Sequence, residues 1–399
     1  MRSLPTLTLC PVTTVTASAD SPTAAAATTT RQEPVVLVVG SPYVTEDWHG
    51  GPAGRYDFLF INNEGAGAEI YLEDPVTERI YVEVEHFGRG VSRAVTAWVP
   101  PGTYRWVCVT GYTIKYSRPV VVTGDPLPQH VYGITPVTWL DLRIPINAYA
   151  TWIRGQLPPL TEQVGRLRVA LQTGDVAVAR RDWLTAHLTY ETLGGAYRAY
   201  DETGDDINAD PPSGVPPARI PDADFAGFRK IEAMLWAGRP PEAIVPHVDA
   251  LLEAIAMLGD DLASPNPIKP IDMARRPHEI LEDTLQWDLN GIGDAGSASE
   301  LATVDANITG VWHALDPLRP ILCRQDPYLD QTDEQLRRTQ ELVRSYHRTD
   351  GWVGLWSLPT RQRVAINAAV QHSTELLSHA AVIIDPRNAT RDRGPVTLD

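Results

Sequence analysis

The sequence predicts a multidomain chain: an N-terminal all-β sandwich followed by a C-terminal all-α helical bundle. Three observations predict it. Between residues 34 and 124, short apolar or alternating runs are separated by Gly, Pro and Asn turn signals. From 125 to 148, Pro126, Pro128, Pro136 and Pro145 mark a linker. Beyond it, Leu157, Leu160, Val164, Leu167 and Leu171 recur at three- and four-residue steps, the period of a helix with one apolar face. The expected organisation is a disordered leader at 1–33, a β-sandwich at 34–124, a Pro-rich linker at 125–148, a helical bundle at 149–385 and a tail at 386–399.

Each element has its own signal. The leader is rich in Ser, Thr, Ala and Pro. Arg2 and Ala17-Ser18-Ala19 suit the two ends of an export signal, but its middle is polar and carries prolines, so the export signal is weak. Strands are expected at 35–39, 56–62, 80–84, 91–99, 104–109 and 119–122. Turns such as Asn62-Asn63-Glu64-Gly65 and Pro100-Pro101-Gly102 separate them. Gly174-Asp175 ends the first helix. Further helices are expected at 176–199, at 225–236 with Asp222 or Asp224 as cap, and at 244–258, 278–290, 300–315, 333–345 and 361–384. Asp385-Pro386 stops the last.

Composition excludes several functions. Of 399 residues, 43% are hydrophobic and 21% charged, with a net charge of −16. Such acidity argues against nucleic acid as the partner, because phosphate binding wants a basic face. Cysteine is limited to Cys10, Cys108 and Cys323, too few for a disulfide scaffold and without a CxxC pair. No apolar run is long enough for a transmembrane helix. There is no phosphate loop, no HExxH and no GxSxG.

Candidate chemistry lies in both parts. Cys108 closes the strand that follows Pro101-Gly102-Thr103-Tyr104, the way a thiolate is offered to copper, but no His or Met stands a few residues beyond it, so a blue-copper site is excluded. Cys108 is either a small buried hydrophobe or a member of a mixed site with Glu69, Glu83 and Glu85. In the helical part, His187 and Glu191 stand four apart, Arg229 and Glu232 three apart, and Glu279 and Glu282 three apart. Pairs at these steps share a helix face, and metal sites in bundle cores are assembled from them. Surface pairing is the bland alternative for each. His247 and His372 read as ordinary members of amphipathic helices.

These segments carry a resemblance. Phe58-Leu59-Phe60-Ile61-Asn62-Asn63, the run from Glu83-Val84-Glu85-His86 to Ser92-Arg93, and Pro101-Gly102-Thr103-Tyr104 resemble the cupredoxin-like domain of EfeO-type iron-uptake proteins. Ala186-His187-Leu188-Thr189-Tyr190-Glu191, the segment from Asp224-Phe225 to Ile231-Glu232, His278-Glu279-Ile280-Leu281-Glu282 and the segment from Ala302-Thr303 to Asn307-Ile308 resemble the imelysin-like helical domain that follows it. The resemblance implies an extracytoplasmic or cell-surface protein that binds iron or another divalent metal beside a membrane permease and a haem peroxidase. Glu191, Glu232, Glu282, His187, Glu69 and Cys108 are the ligands it leaves in place. Three departures stand out. Arg229 occupies the position of the family's signature histidine, Asn208 replaces an aspartate, and Arg105 stands where some relatives are acidic. Arginine has no lone pair to give a metal. Arg229 is therefore expected to point into the bundle as a permanent cation, with Glu232 one turn on and Glu191 facing it.

Three functions compete: a metal-binding uptake component, a degenerate member kept as an interaction protein, and an enzyme with a repurposed cleft. No catalytic set is visible, so an enzyme is the least favoured. The weak leader leaves a cytoplasmic location open.

Overall fold

In the computed structural model, residues 35–39, 48–110, 113–128, 131–194, 200–212, 215, 217–265, 267–349 and 351–387 are described. The expected leader and residues 388–399 of the expected tail lie outside them. The chain divides into two units. One comprises the described residues up to Thr138 together with Arg387, the other Trp139–Pro386.

The first unit holds two sheets. Strands β1 (Val35–Val39), β3 (Gly54–Asn62) and β6 (Ser92–Val99) form one, with β1 parallel and β6 antiparallel to β3. The other runs β2 (Gly51–Pro52), β9 (Val120–Thr123), β7 (Gly102–Thr110), β4 (Ala68–Glu73) and β5 (Ile80–Phe87), with β8 (Thr113–Tyr116) also pairing β7. Alternate side chains of β3 point inward, and Phe58 and Phe60 meet Trp106 of β7 edge-to-face at 5.1 and 5.2 Å between ring centres. Leu37, Ile70, Leu72, Val82, Val84 and Cys108 complete a sandwich core. Strand β4 escaped the sequence reading. All six of its residues are buried because it lies between β5 and β7, and burial on both faces erases alternation.

The second unit is helical: α1 (Trp139–Gln172), α2 (Val176–Glu191), α3 (Asp201–Asn208), α4 (Gly227–Trp236), α5 (Pro241–Asp261), α6 (Pro270–Asp283), α7 (Glu300–Leu315), α8 (Arg319–Gln325), α9 (Leu329–Arg344) and α10 (Thr360–Ile384). A two-stranded ribbon, β10 (His347–Arg348) with β11 (Gly351–Trp352), precedes α10. Two expectations need correction. Helix α1 starts at Trp139, inside the stretch expected to be linker, because Leu142, Ile146, Tyr149, Ala150 and Ile153 already bury one face and tolerate Pro145 within it. Neither Asp222 nor Asp224 caps α4. Its N-cap is Ala226, without a side-chain hydrogen bond.

Gly227 explains that start. Its φ is +79°, and a Cβ there would lie 2.0 Å from the Ile207 carbonyl oxygen and 2.6 Å from the Asn208 nitrogen. Only glycine lets the start of α4 touch the end of α3 backbone to backbone. This contact places Asn208 and the residues just beyond it beside Arg229.

Arg387, expected in a loose tail, is 4% exposed. Its Nε donates to Glu83 at 3.0 Å and its Nη2 at 2.5 Å, and its backbone N–H donates to the Val137 carbonyl at 2.8 Å. Truncating it leaves a largely buried carboxylate unpaired. Arg387→Ala should lower the unfolding free energy of the full chain by about 2–4 kcal/mol in urea titrations followed by tryptophan fluorescence.

Candidate functional site

Helices α2, α3, α4 and α6 enclose a cavity of about 700 Å³ in the helical unit. Six carboxylate side chains line it, from Glu191, Asp205, Asp210, Asp224, Asp283 and Asp288. One guanidinium, that of Arg229, lines it with them. Arg229 is 7% exposed. Its Nη1 donates to Asp210 Oδ1 at 2.5 Å.

The end of α2 is anchored before it reaches the cavity. Tyr149 donates to the Leu193 carbonyl at 2.8 Å, as Tyr200 also does, and the buried Arg276 donates to the Gly194 carbonyl at 2.9 Å. These donors satisfy the carbonyls of the two residues that follow the C-cap of α2. Glu191 is thereby fixed in place. Its Oε1 accepts from Asn208 Nδ2 at 3.0 Å and lies 2.8 Å from His187 Nε2. His187 stacks on Trp183 with ring centres 4.9 Å apart, behind Glu191. Burial pushes the Glu191 carboxyl up, but His187, Arg229 and the Asn208 amide outweigh it and hold it below the usual range.

The opposite wall comes from the end of α6. The segment Thr284–Asp288 continues α6 as a π-turn, closed by the Leu289 N–H on the Thr284 carbonyl at 2.9 Å. Its wider turn buries Asp288, whose Oδ2 accepts from Asn307 Nδ2 of α7 at 3.0 Å. A Cβ on Gly293 would lie 2.5 Å from Asp288 Oδ1 and 3.3 Å from Arg229 Nη1, so any side chain here would displace one or both groups. Burial pushes Asp283 up to about 7 against the pull of Arg229, with Glu191 and Asp210 adding to the rise. Burial, then the charge on Glu191, push Asp288 well above the carboxylate range. For Arg229, burial opposes the charge, but Asp210, Asp288, Glu191 and Asp283 more than offset it and keep it firmly cationic.

The structure brings together only some of the expected residues. Glu191 and Arg229 share the cavity, and His187 backs Glu191. Glu232 turns the other way: it is 1% exposed, and its Oε1 accepts from the Ser297 N–H at 2.9 Å. At 3.6 residues per turn, three residues along α4 leave Glu232 about 60° round the helix from Arg229, enough to leave the cavity. Arg229 therefore pairs with Asp210 instead of Glu232. Glu282 is 41% exposed in its side chain and faces His278 at 3.5 Å. In the β-unit, Glu69 takes the hydroxyl of Tyr71 and lies 2.9 Å from His86 Nε2. Cys108 pairs in register with Ile70 and points into the sandwich core, while Glu69 and Glu83 stand on the other sheet face. A pleated strand cannot bring them together, so the mixed Glu/Cys grouping does not form. Burial pushes the Cys108 thiol up to about 12. Arg105 finds a structural role, donating to the buried Glu73 at 2.7 Å. Among the described residues, no three His, Cys, Asp or Glu side chains are grouped so that they could hold a metal ion.

Sequence reasoning missed Asp210, Asp283 and Asp288. Asp283 follows Ile280 by three and precedes Trp287 by four, a helical spacing on the cavity face that was there to be read. Asp210 lies in an irregular loop and Asp288 depends on a π-turn, so neither has a periodic signal.

The architecture defines a class: a β-sandwich unit joined in one chain to a helical unit that carries an acid-lined cavity around a single arginine. No protein-family model matches the chain. Relatives do. The iron uptake system component EfeO of Yersinia pseudotuberculosis serotype I is 22% identical over 328 residues, covering 82% of this chain and 84% of the relative. The same component from Escherichia coli O6:H1 is 22% identical over 366 residues, covering 90% of this chain and 91% of the relative. An alignment of that length runs through both units, and the chain is a distant homologue of the EfeO proteins.

Two predictions follow from the geometry. Arg229→Gln removes a cation that helps hold Glu191 ionised and takes away the partner of Asp210. The folded-state pKa of Glu191 then rises, so the loss is small where it is protonated in both states and grows as pH climbs through the carboxylate range. Urea unfolding should show a deficit of about 3–5 kcal/mol near neutral pH and much less near pH 4. For Glu232, burial, then Asp294, push the carboxyl up to about 8, against the N–H groups of Ser297 and Ala295. A carboxyl raised on folding adds stability that is complete below the unfolded value and is lost as pH rises through the folded one. Glu232→Gln should therefore flatten the fall in melting temperature between about pH 5 and pH 8.

Proposed function

We propose that the protein is the extracytoplasmic cation-capturing component of an iron-uptake system of the EfeO kind, with the helical cavity as its capture site. The observation that carries this reading is the imbalance inside the cavity, where six carboxylates face one guanidinium. Like charges in a partly dry space raise one another's pKa until a cation arrives. Burial chiefly, and the neighbouring acids after it, raise Asp283 and Asp288, and a bound cation would offset both. No three of the described donors converge on a bare ion, so the divalent or trivalent ion is taken as its hydrate, which these dispersed hard oxygen donors hold through its waters. The relatives are components of iron uptake systems, which makes iron the cargo to test first. A membrane permease and a haem peroxidase are the partners this reading implies. No helix of the described residues is long and apolar enough to cross a membrane, so the translocation step falls to the permease.

A second reading has its own observation. Arg229 already neutralises Asp210, and the Asn208 amide already hydrogen-bonds Glu191, from within. If that suffices, the protein keeps the family's architecture without its metal and acts through its surfaces.

Calorimetric titration of the chelator-treated full chain with Fe(II) under anaerobic conditions, and with Fe(III) and Zn(II), separates them. Cation capture predicts saturable iron binding that is weakened at least about tenfold in Asp283→Asn and Asp288→Asn. The interaction reading predicts no saturable metal binding in either form.

A further inference from the structure

We infer that the helical cavity also takes an elongated organic cation, a linear diamine or polyamine. The inference rests on the cavity being a cation site but not on iron being its cargo. Size is the first argument. About 700 Å³ falls within the range of small-molecule pockets, far above the space of a bare ion. Charge distribution is the second. The six carboxylates come from α2, α3, the loop after α3, the segment before α4, and α6 with its π-turn, and no three of the described His, Cys, Asp or Glu side chains could hold a metal ion. Acids dispersed in this way suit several separated positive charges better than one concentrated charge.

The walls between the acids are the third argument. Phe225, Trp287 and Tyr190 line the same cavity. Aromatic faces receive ammonium groups through their quadrupole and the methylenes between them by burial. Tyr190 adds an observation independent of the acids. It is 2% exposed, yet its hydroxyl has no hydrogen-bond partner among the described residues. A buried phenol in a cavity wall normally finds a partner, and here the cavity side remains for one. Asp288, 5% exposed, has Oδ2 engaged by Asn307 and no hydrogen bond to Oδ1 among the described residues. An amine is the ligand group that satisfies both, donating to the carboxylate and to the phenol oxygen.

The test is calorimetry on the full chain with 1,4-diaminobutane, 1,5-diaminopentane and spermidine. Butylamine serves as the single-charge control, at fixed ionic strength and with and without Fe(II). Diamines are expected to bind at least about tenfold more tightly than butylamine and to compete with Fe(II). Asp288→Asn should weaken diamine binding about tenfold or more, and Tyr190→Phe by a smaller factor. Glu282→Gln, outside the cavity, should leave it unchanged. Circular dichroism and melting temperature show that each variant is folded. Absence of saturable amine binding by the folded protein, or diamine binding indifferent to Asp288→Asn, would overturn the inference. Iron binding without amine binding sinks this inference alone, and amine binding without iron binding sinks the iron assignment alone. If neither binds, the cation-site reading falls with both.

Discussion

Much of the helical unit depends on how it manages buried negative charge around Arg229. A carboxylate taken out of water needs a cation, a set of N–H donors or a proton. All three solutions occur within this cavity. Asp210 has the guanidinium, Glu191 has Asn208 with His187 behind it, and Asp283 and Asp288 hold their protons more tightly than ordinary acids. Arginine can hold this position because it stays charged when buried and offers a fork of donors to several acids at once.

That arrangement requires close backbone packing. Gly227 brings α4 against the end of α3, so Asn208 and Asp210 reach residues on two other helices. Tyr149, Tyr200 and Arg276 hold the carbonyls beyond α2, and Asn307 ties the π-turn after α6 to α7 through Thr284 and Asp288. The polar groups are distributed so that each helix end entering the cavity is fixed by a neighbour. A cavity held in this way keeps its acids apart, where free side chains would spread into solvent.

The β-unit treats its acids differently. Glu73 has Arg105, Glu83 has Arg387 and Glu64 has Lys115, each acid with a cation of its own. Its thiol lies in the apolar core, where burial disfavours the thiolate that a metal would need. The acids lining the cavity lack such one-to-one cations, and that contrast is the reason the proposed capture role is given to the helical unit.

The sequence by itself determined the two-part architecture, most helix positions and the presence of Arg229 where a histidine was expected. These properties are local: alternation, helical period and residue identity are written along the chain. It also singled out Glu191 and His187, because a four-residue step on one helix fixes a shared face. It could not separate Glu232 from Glu191, since which side of α4 meets α2 depends on the packing of Gly227 against α3. Nor could it show that Cys108 and Glu69 stand on opposite faces of one sheet until β4 was placed in register with β7. Asp210 and Asp288 were decided by tertiary structure alone. A loop position and a π-turn carry no period, and their carboxylates matter only because other helices bring a guanidinium and an amide to them.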